Sequence, residues 1–226
     1  MLGPSTIPFK AGTQIPKSIS KEEIKRITTD FGKAAKRSLE AGFQIIELHA
    51  AHGYLLHEFL SPISNSRTDE YGGSFENRIR LLLEVVNQVQ AEWPADRPLF
   101  VRISASDWVA GGWNVEESVA LSKILLKMGV DLIDCSSGGN VEHAKIPVAP
   151  GYQVPFAKQI KHETGILTGT VGLITDAEQA EKILQNEEAD LIFMAREFLR
   201  DPYFPLHAST KLSEAFAWPV QYQRAK

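Results

Sequence analysis

The sequence predicts an α/β domain, a (β/α)8 TIM barrel carried only in part, as about five βα units. Short apolar runs alternate strictly with segments of helical period along the 226 residues. Such alternation places parallel strands inside and helices outside. Polar residues collect where the runs end, at His49, Arg102, Ser136, Thr168 with Gly169, and Arg196. In a barrel those ends form the mouth of the site. No Gly-x-Gly-x-x-Gly follows a run, which speaks against an open dinucleotide-binding sheet.

The elements follow in order within a single domain: residues 1–19 as a lead-in loop, 20–210 as βα units, 211–226 as a tail. The lead-in is rich in Pro, Gly, Ser and Thr. Ser20 and Glu23 form a capping box for a first helix, with Ile24, Ile27, Phe31, Ala35 and Leu39 in helical period and Gly42 stopping it. Phe43 to Leu48 reads as a buried strand that ends at a stretch of His and Tyr. The polar segment Ser61 to Gly73 is too long for an ordinary βα loop and reads as a loop pinned by its own polar groups. Ser74 caps the next helix, which ends at Trp93-Pro94. Pro98 to Ser104 is a second strand, and Asn114 with Glu117 frames another capping box. Leu132 to Gly138 and Gly165 to Gly172 are the third and fourth strands, around a helix from Val154 to Glu163. Thr175 and Glu178 start a helix, and Asp190 to Arg196 is the fifth strand.

Composition narrows the function classes. Hydrophobic residues make up 43% of the chain, enough for a sizeable core, and the net charge of −4 gives no basic footprint for nucleic acid. No apolar run approaches a membrane span. The single cysteine, Cys135, excludes an internal disulfide and a cysteine-built metal site, and reads as a small buried strand residue. No basic-then-apolar leader opens the sequence, so a cytoplasmic location is expected.

The chemistry centres on His49-Ala50-Ala51-His52-Gly53-Tyr54. Two imidazoles at a strand end can hold one oxygen by two hydrogen bonds, and a nearby phenol can give or take a proton. By itself the pattern leaves a structural role open, with His52 a buried histidine satisfied by backbone. The stretch runs through Leu55-Leu56-His57-Glu58-Phe59-Leu60-Ser61-Pro62 into Asn65-Ser66-Arg67-Thr68-Asp69-Glu70-Tyr71-Gly72-Gly73-Ser74-Phe75-Glu76-Asn77-Arg78. Together these resemble the signature of the Old Yellow Enzyme family of FMN-dependent ene-reductases. Val101-Arg102-Ile103-Ser104, Asp134-Cys135-Ser136-Ser137-Gly138 and Phe198-Leu199-Arg200-Asp201-Pro202 extend the resemblance in order, and Gln221-Tyr222-Gln223-Arg224 is similar to the bacterial-type branch. It covers essentially the whole chain and about the last two thirds of that family's barrel.

The resemblance implies a TIM barrel of the FMN-linked oxidoreductase kind, lacking its N-terminal part, with FMN and NADPH (or NADH) as cofactors. It implies NADPH dehydrogenase activity on the C=C bond of an α,β-unsaturated carbonyl compound, an enone or enal. His49 and His52 then grip the carbonyl oxygen, and Tyr54 supplies the proton. Arg102 faces the flavin edge where negative charge grows, with a structural ion pair as the alternative. Gly169, Gly172, Ala195 and Arg196 resemble the family's phosphate cradle, although that family usually has glycine where Ala195 stands. The alanine methyl narrows the approach, and a positive φ there would be strained. No metal is expected, and a homo-oligomer is left open. The alternative function is a non-catalytic fragment that cannot hold FMN alone.

Overall fold

The computed structural model describes residues 1–225. Five parallel strands form one sheet: β3 (Ile46–Ala50), β4 (Leu99–Ser104), β5 (Leu132–Ser136), β6 (Leu167–Thr170) and β7 (Leu191–Ile192). Each strand lies beside its neighbour in sequence. Parallel neighbours need a crossover. The helices supply it: α2 (Leu55–Leu60) and α3 (Phe75–Gln90), then α4 (Val115–Lys127), α5 (Val154–Thr164) and α6 (Ala177–Gln185). Strand order never reverses, so the sheet is an arc of a barrel and has no switch point of the doubly wound kind. Helix α1 (Lys21–Glu40) precedes the arc. Helices α7 (Arg196–Arg200) and α8 (Phe204–Lys211) and a 3-10 turn at Val220–Ala225 follow it. Among the described residues no helix is long and apolar enough to cross a membrane.

Alternation along the strands separates two faces. Leu48, Ala50, Val101, Ile103, Ile133 and Cys135 turn outward into one core with Leu82, Val86, Leu121, Leu125 and Ile160 of the helices. The other face carries a registered row, His49, Arg102, Asp134, Gly169 and Leu191. Site chemistry therefore occupies the concave side, while apolar burial on the convex side holds the arc.

Several boundaries differ from expectation. The lead-in contains two short parallel strands, β1 (Leu2–Gly3) and β2 (Lys17–Ser18). β3 begins at Ile46, where the first bond to its neighbour forms, from the Ile46 N–H to the Pro98 carbonyl. Phe43 and Ile45 precede that bond and stay exposed, so His49 lies on the strand rather than beyond it. Asp176, not Thr175, caps α6, its carboxylate accepting from the Glu178 and Gln179 amides. Asn114 caps α4 as expected, but the Glu117 carboxylate goes to Arg78 instead of closing the box. Helix α3 stops at Gln90, and Trp93 is buried beyond it with its indole donating to the Arg97 carbonyl. β7 is short because the chain leaves the sheet at Phe193 and turns into α7.

Other expectations hold. Ser20 and Glu23 close a full capping box, and Ser74 caps α3. The loop Ser61 to Gly73 is pinned from within. Asn65 donates to the Phe59 and Tyr71 carbonyls, and the Arg67 guanidinium grips Asp69 through two bonds and reaches the Ile19 carbonyl.

Candidate active site

The chain after β3 makes a turn in which His52 (φ 58°) and Gly53 (φ 71°) are both left-handed. Gly53 is required there: a Cβ would stand 2.3 Å from the Gly139 carbonyl oxygen of the loop after β5. His52 tolerates its conformation because both ends are held. Its amide donates to Ser104 Oγ at 2.9 Å, and its Nε2 lies 2.6 Å from Ser136 Oγ. The His49 ring, carried on β3, stands 5.1 Å from the His52 ring and 5.2 Å from the Tyr54 ring. The three expected residues therefore form one contiguous group, with Tyr54 exposed to solvent.

Burial lowers the His52 pKa to about 4, with the Arg102 charge and then His49 and His57 pushing the same way. Burial and Arg102 also lower His49. Both rings are thus held toward the neutral form, in which an imidazole donates one hydrogen bond and accepts another.

Arg102 lies between His49 and Asp134 in the registered row. Its Nε is 3.1 Å from Asp134 Oδ2, without the alignment of a full hydrogen bond. The structural ion pair is therefore present. Burial nevertheless lifts the Asp134 carboxyl to about 7, opposed by Arg102 and aided by Glu47.

The guanidinium also opens on a cavity of about 370 Å³. All five strand ends reach it: His52 after β3, Arg102 on β4, Ser136 and Ser137 at the end of β5, Val171 and Gly172 after β6, and Phe193 to Arg196 after β7. Gly172 has φ +125°, and a Cβ there would press within 3.0 Å of Gln153 and Tyr152. Ala195 has φ −112°, so the strain expected of a positive φ does not arise there. Arg196 is exposed at the cavity edge. Gly169 does not reach the wall: a Cβ on it would lie 2.1 Å from the Phe193 ring, so this glycine makes room for that ring. Backbone amides, an exposed arginine and a buried-edge guanidinium in one hollow suit a ligand with a flat polar ring and an anionic tail.

Sequence reasoning missed Gln153. Its Oε1 accepts from Ser136 and Ser137, and its Nε2 donates to the Val171 carbonyl. It also missed His57 and Asp107, both wholly buried behind the His52 turn. Nothing in the local sequence marks Gln153 or the meeting of His57 with Asp107, because the segments that meet there are far apart in sequence.

The pattern of the NADH:flavin oxidoreductase / NADH oxidase family matches residues 4–215. An NADPH dehydrogenase of Bacillus velezensis is 55% identical over 222 residues, covering 98% of this chain and 65% of that protein. The NADPH dehydrogenase of Bacillus subtilis is 52% identical over 224 residues, 99% of this chain and 65% of its own length. This chain thus spans about two thirds of these relatives. A 2-naphthoyl-CoA reductase structure superposes with TM-score 0.86 at 26% identity, over 94% of this chain and 33% of that one. Morphinone reductase does so with TM-score 0.77 at 26% identity, over 96% and 61%. With its arc of parallel strands, its His-His-Tyr turn and its arginine-lined hollow, the chain belongs to the NADH:flavin oxidoreductase / NADH oxidase family, the Old Yellow Enzyme group of FMN-linked TIM barrels.

Proposed function

We propose that this chain carries the flavin and substrate site of an NADPH- or NADH-dependent ene-reductase acting on α,β-unsaturated carbonyl compounds. The observation that carries the reading is the row on the concave face: His49 is registered beside Arg102, and His52 lines the same cavity as Arg102 and Arg196.

The residues fit FMN. The cleft left by Gly172, the amides from Met194 to Arg196 and the Arg196 guanidinium would hold its phosphate, and Arg102 would face its ring. The redox chemistry, transfer of reducing equivalents from the nicotinamide to the alkene β-carbon by way of N5, belongs to the bound flavin. His49 and His52 act on the carbonyl oxygen. Being neutral, they donate hydrogen bonds without protonating it, and they favour the charge that develops there. His52 takes part when its Nε2, 2.6 Å from Ser136 Oγ, turns its hydrogen bond from that serine to the carbonyl oxygen. Tyr54, beside His49 and open to solvent, delivers the proton to the α-carbon and is refilled from water.

A second reading, in which the chain alone does not retain FMN, draws on the concave face itself. Leu167 and Leu191 are 52% and 43% exposed there. One experiment separates the two: purify the chain, add FMN, remove the excess and record the visible spectrum. A yellow protein that NADPH bleaches and an enone recolours supports the ene-reductase reading. A colourless protein supports the second reading, and a yellow protein that no enone recolours overturns the substrate assignment.

A further inference from the structure

One buried pair takes no part in that chemistry. His57 on α2 and Asp107 in the loop after β4 are both fully enclosed. The Gly53 amide donates to His57 Nδ1 at 2.9 Å. An amide can only donate, so Nδ1 holds the ring's lone pair and the ring proton sits on Nε2. That nitrogen lies 3.1 Å from Asp107 Oδ1 in a bent contact. The other carboxylate oxygen accepts from Ser61 Oγ at 2.6 Å and from the Trp113 amide at 2.9 Å. Burial raises the Asp107 carboxyl, and the His57, Ser61 and Trp113 contacts more than offset it.

The geometry resembles a capping box run with unusual residues. Tyr54 is the N-cap of α2 and makes no side-chain cap bond. His57, three residues on, reaches back to the amide just before the cap, where a Glu or Gln commonly serves the cap amide itself. The amide it holds belongs to the second of two successive left-handed residues, a conformation that costs about 1 kcal/mol for the non-glycine His52. Left unpaired, that half-buried amide would destabilise the turn further.

We propose that His57 and Asp107 are positioning residues: the imidazole, oriented by the carboxylate, clamps the Gly53 amide and fixes the left-handed turn that presents His52 and Tyr54. Its consequence for alkene reduction rests on the ene-reductase reading. The clamp itself does not.

The test is NMR on the isotope-labelled chain, unaltered and as His57→Leu, His57→Asn and Asp107→Asn. In the unaltered chain His57 is expected as the Nε2–H form, with a coupling across the hydrogen bond from the Gly53 amide to Nδ1. In His57→Leu the Gly53 amide exchanges about tenfold faster. The His52 midpoint, set by burial with Arg102, His49 and His57 facing the ring, climbs from about 4 toward 6.5. In His57→Asn the side-chain oxygen stands near the Nδ1 position and restores amide protection, while Asp107→Asn weakens it. An Nδ1–H form in the unaltered chain overturns the proposal, and so does a folded His57→Leu with an unchanged Gly53 amide and His52 midpoint. If His57→Leu does not fold, the tautomer and coupling in the unaltered chain decide. With FMN loaded, His57→Leu lowers kcat more than it raises KM, and His57→Asn recovers it. A loosened turn with undiminished alkene reduction upholds the clamp and overturns the catalytic assignment of His52 and Tyr54.

Discussion

Replacing Gly53 by alanine tests the packing of the site turn, and Gly42 supplies an internal control. Both glycines are left-handed, with φ +71° and +87°. Each substitution therefore costs about 1 kcal/mol in backbone conformation. The surroundings differ. A Cβ on Gly42 meets nothing within 4 Å, whereas one on Gly53 lies 2.3 Å from the Gly139 oxygen and 3.1 Å from its carbon. Real contacts of that kind do not fall below 3.0 Å, so the two backbones must separate. The movement strains the bonds that His52 makes to Ser104 and Ser136, each worth about 1 kcal/mol. Gly53→Ala should thus cost about 3 kcal/mol in all. For a domain of this size each kcal/mol lowers Tm by about 2–4 °C, so Gly42→Ala should lose about 2–4 °C and Gly53→Ala about 6–12 °C. Thermal unfolding followed by circular dichroism reads both. Equal losses would refute the argument, because only the Gly139 contact separates the two sites.

Other expectations follow from the same geometry. His52 has a folded-state pKa depressed from 6.5 to about 4, so the unfolded chain binds more protons in between. Its contribution is present above pH 6.5 and lost as the pH falls through 4, so the stability of the unaltered chain relative to His52→Gln should grow with pH across that window, measured by urea unfolding. Asp134, raised from 3.8 to about 7, has the opposite sign: Asp134→Asn should gain on the unaltered chain as the pH rises through 7. Arg78 is 5% exposed, donates to the Leu60 and Gly73 carbonyls, pairs with Glu117 and stacks over Trp113. Arg78→Met should cost about 3–5 kcal/mol in urea unfolding because it orphans all three acceptors, and Arg78→Lys should not recover it. Arg196→Ala should weaken FMN binding at least about tenfold by flavin fluorescence, and an unchanged Kd would remove Arg196 from the phosphate site.

Much of this was legible in the sequence because the signals are local. Ser20 and Glu23 lie one helical turn apart, so their box could be read without knowing the fold, and it closes. The same reasoning chose Thr175 over Asp176 and missed, because two adjacent side chains can serve and the carboxylate takes two amides at once. Glu117 shows a different limit. Its spacing from Asn114 is right for a box, but α3 brings a buried arginine within reach, and that charge takes the carboxylate. The His-His-Tyr group was found because its members fall within six residues. Gln153 was not, because its role depends on the loops after β5 and β6 meeting.

By itself the sequence determined the alternation of strands and helices, the starts of α1, α3 and α4, the pinned loop from Ser61 to Gly73 and the residues that match the family signature. These depend on hydrophobic period, local hydrogen bonding and residue identity, all of which act over a few positions. Only the tertiary structure decided that Gly169 makes room for Phe193, that Ala195 takes a negative φ, and that His57 and Asp107 meet behind the turn. Those facts come from strand register and the approach of separate segments, 24 positions apart for Gly169 and Phe193 and 50 for His57 and Asp107, and leave no mark in either segment alone.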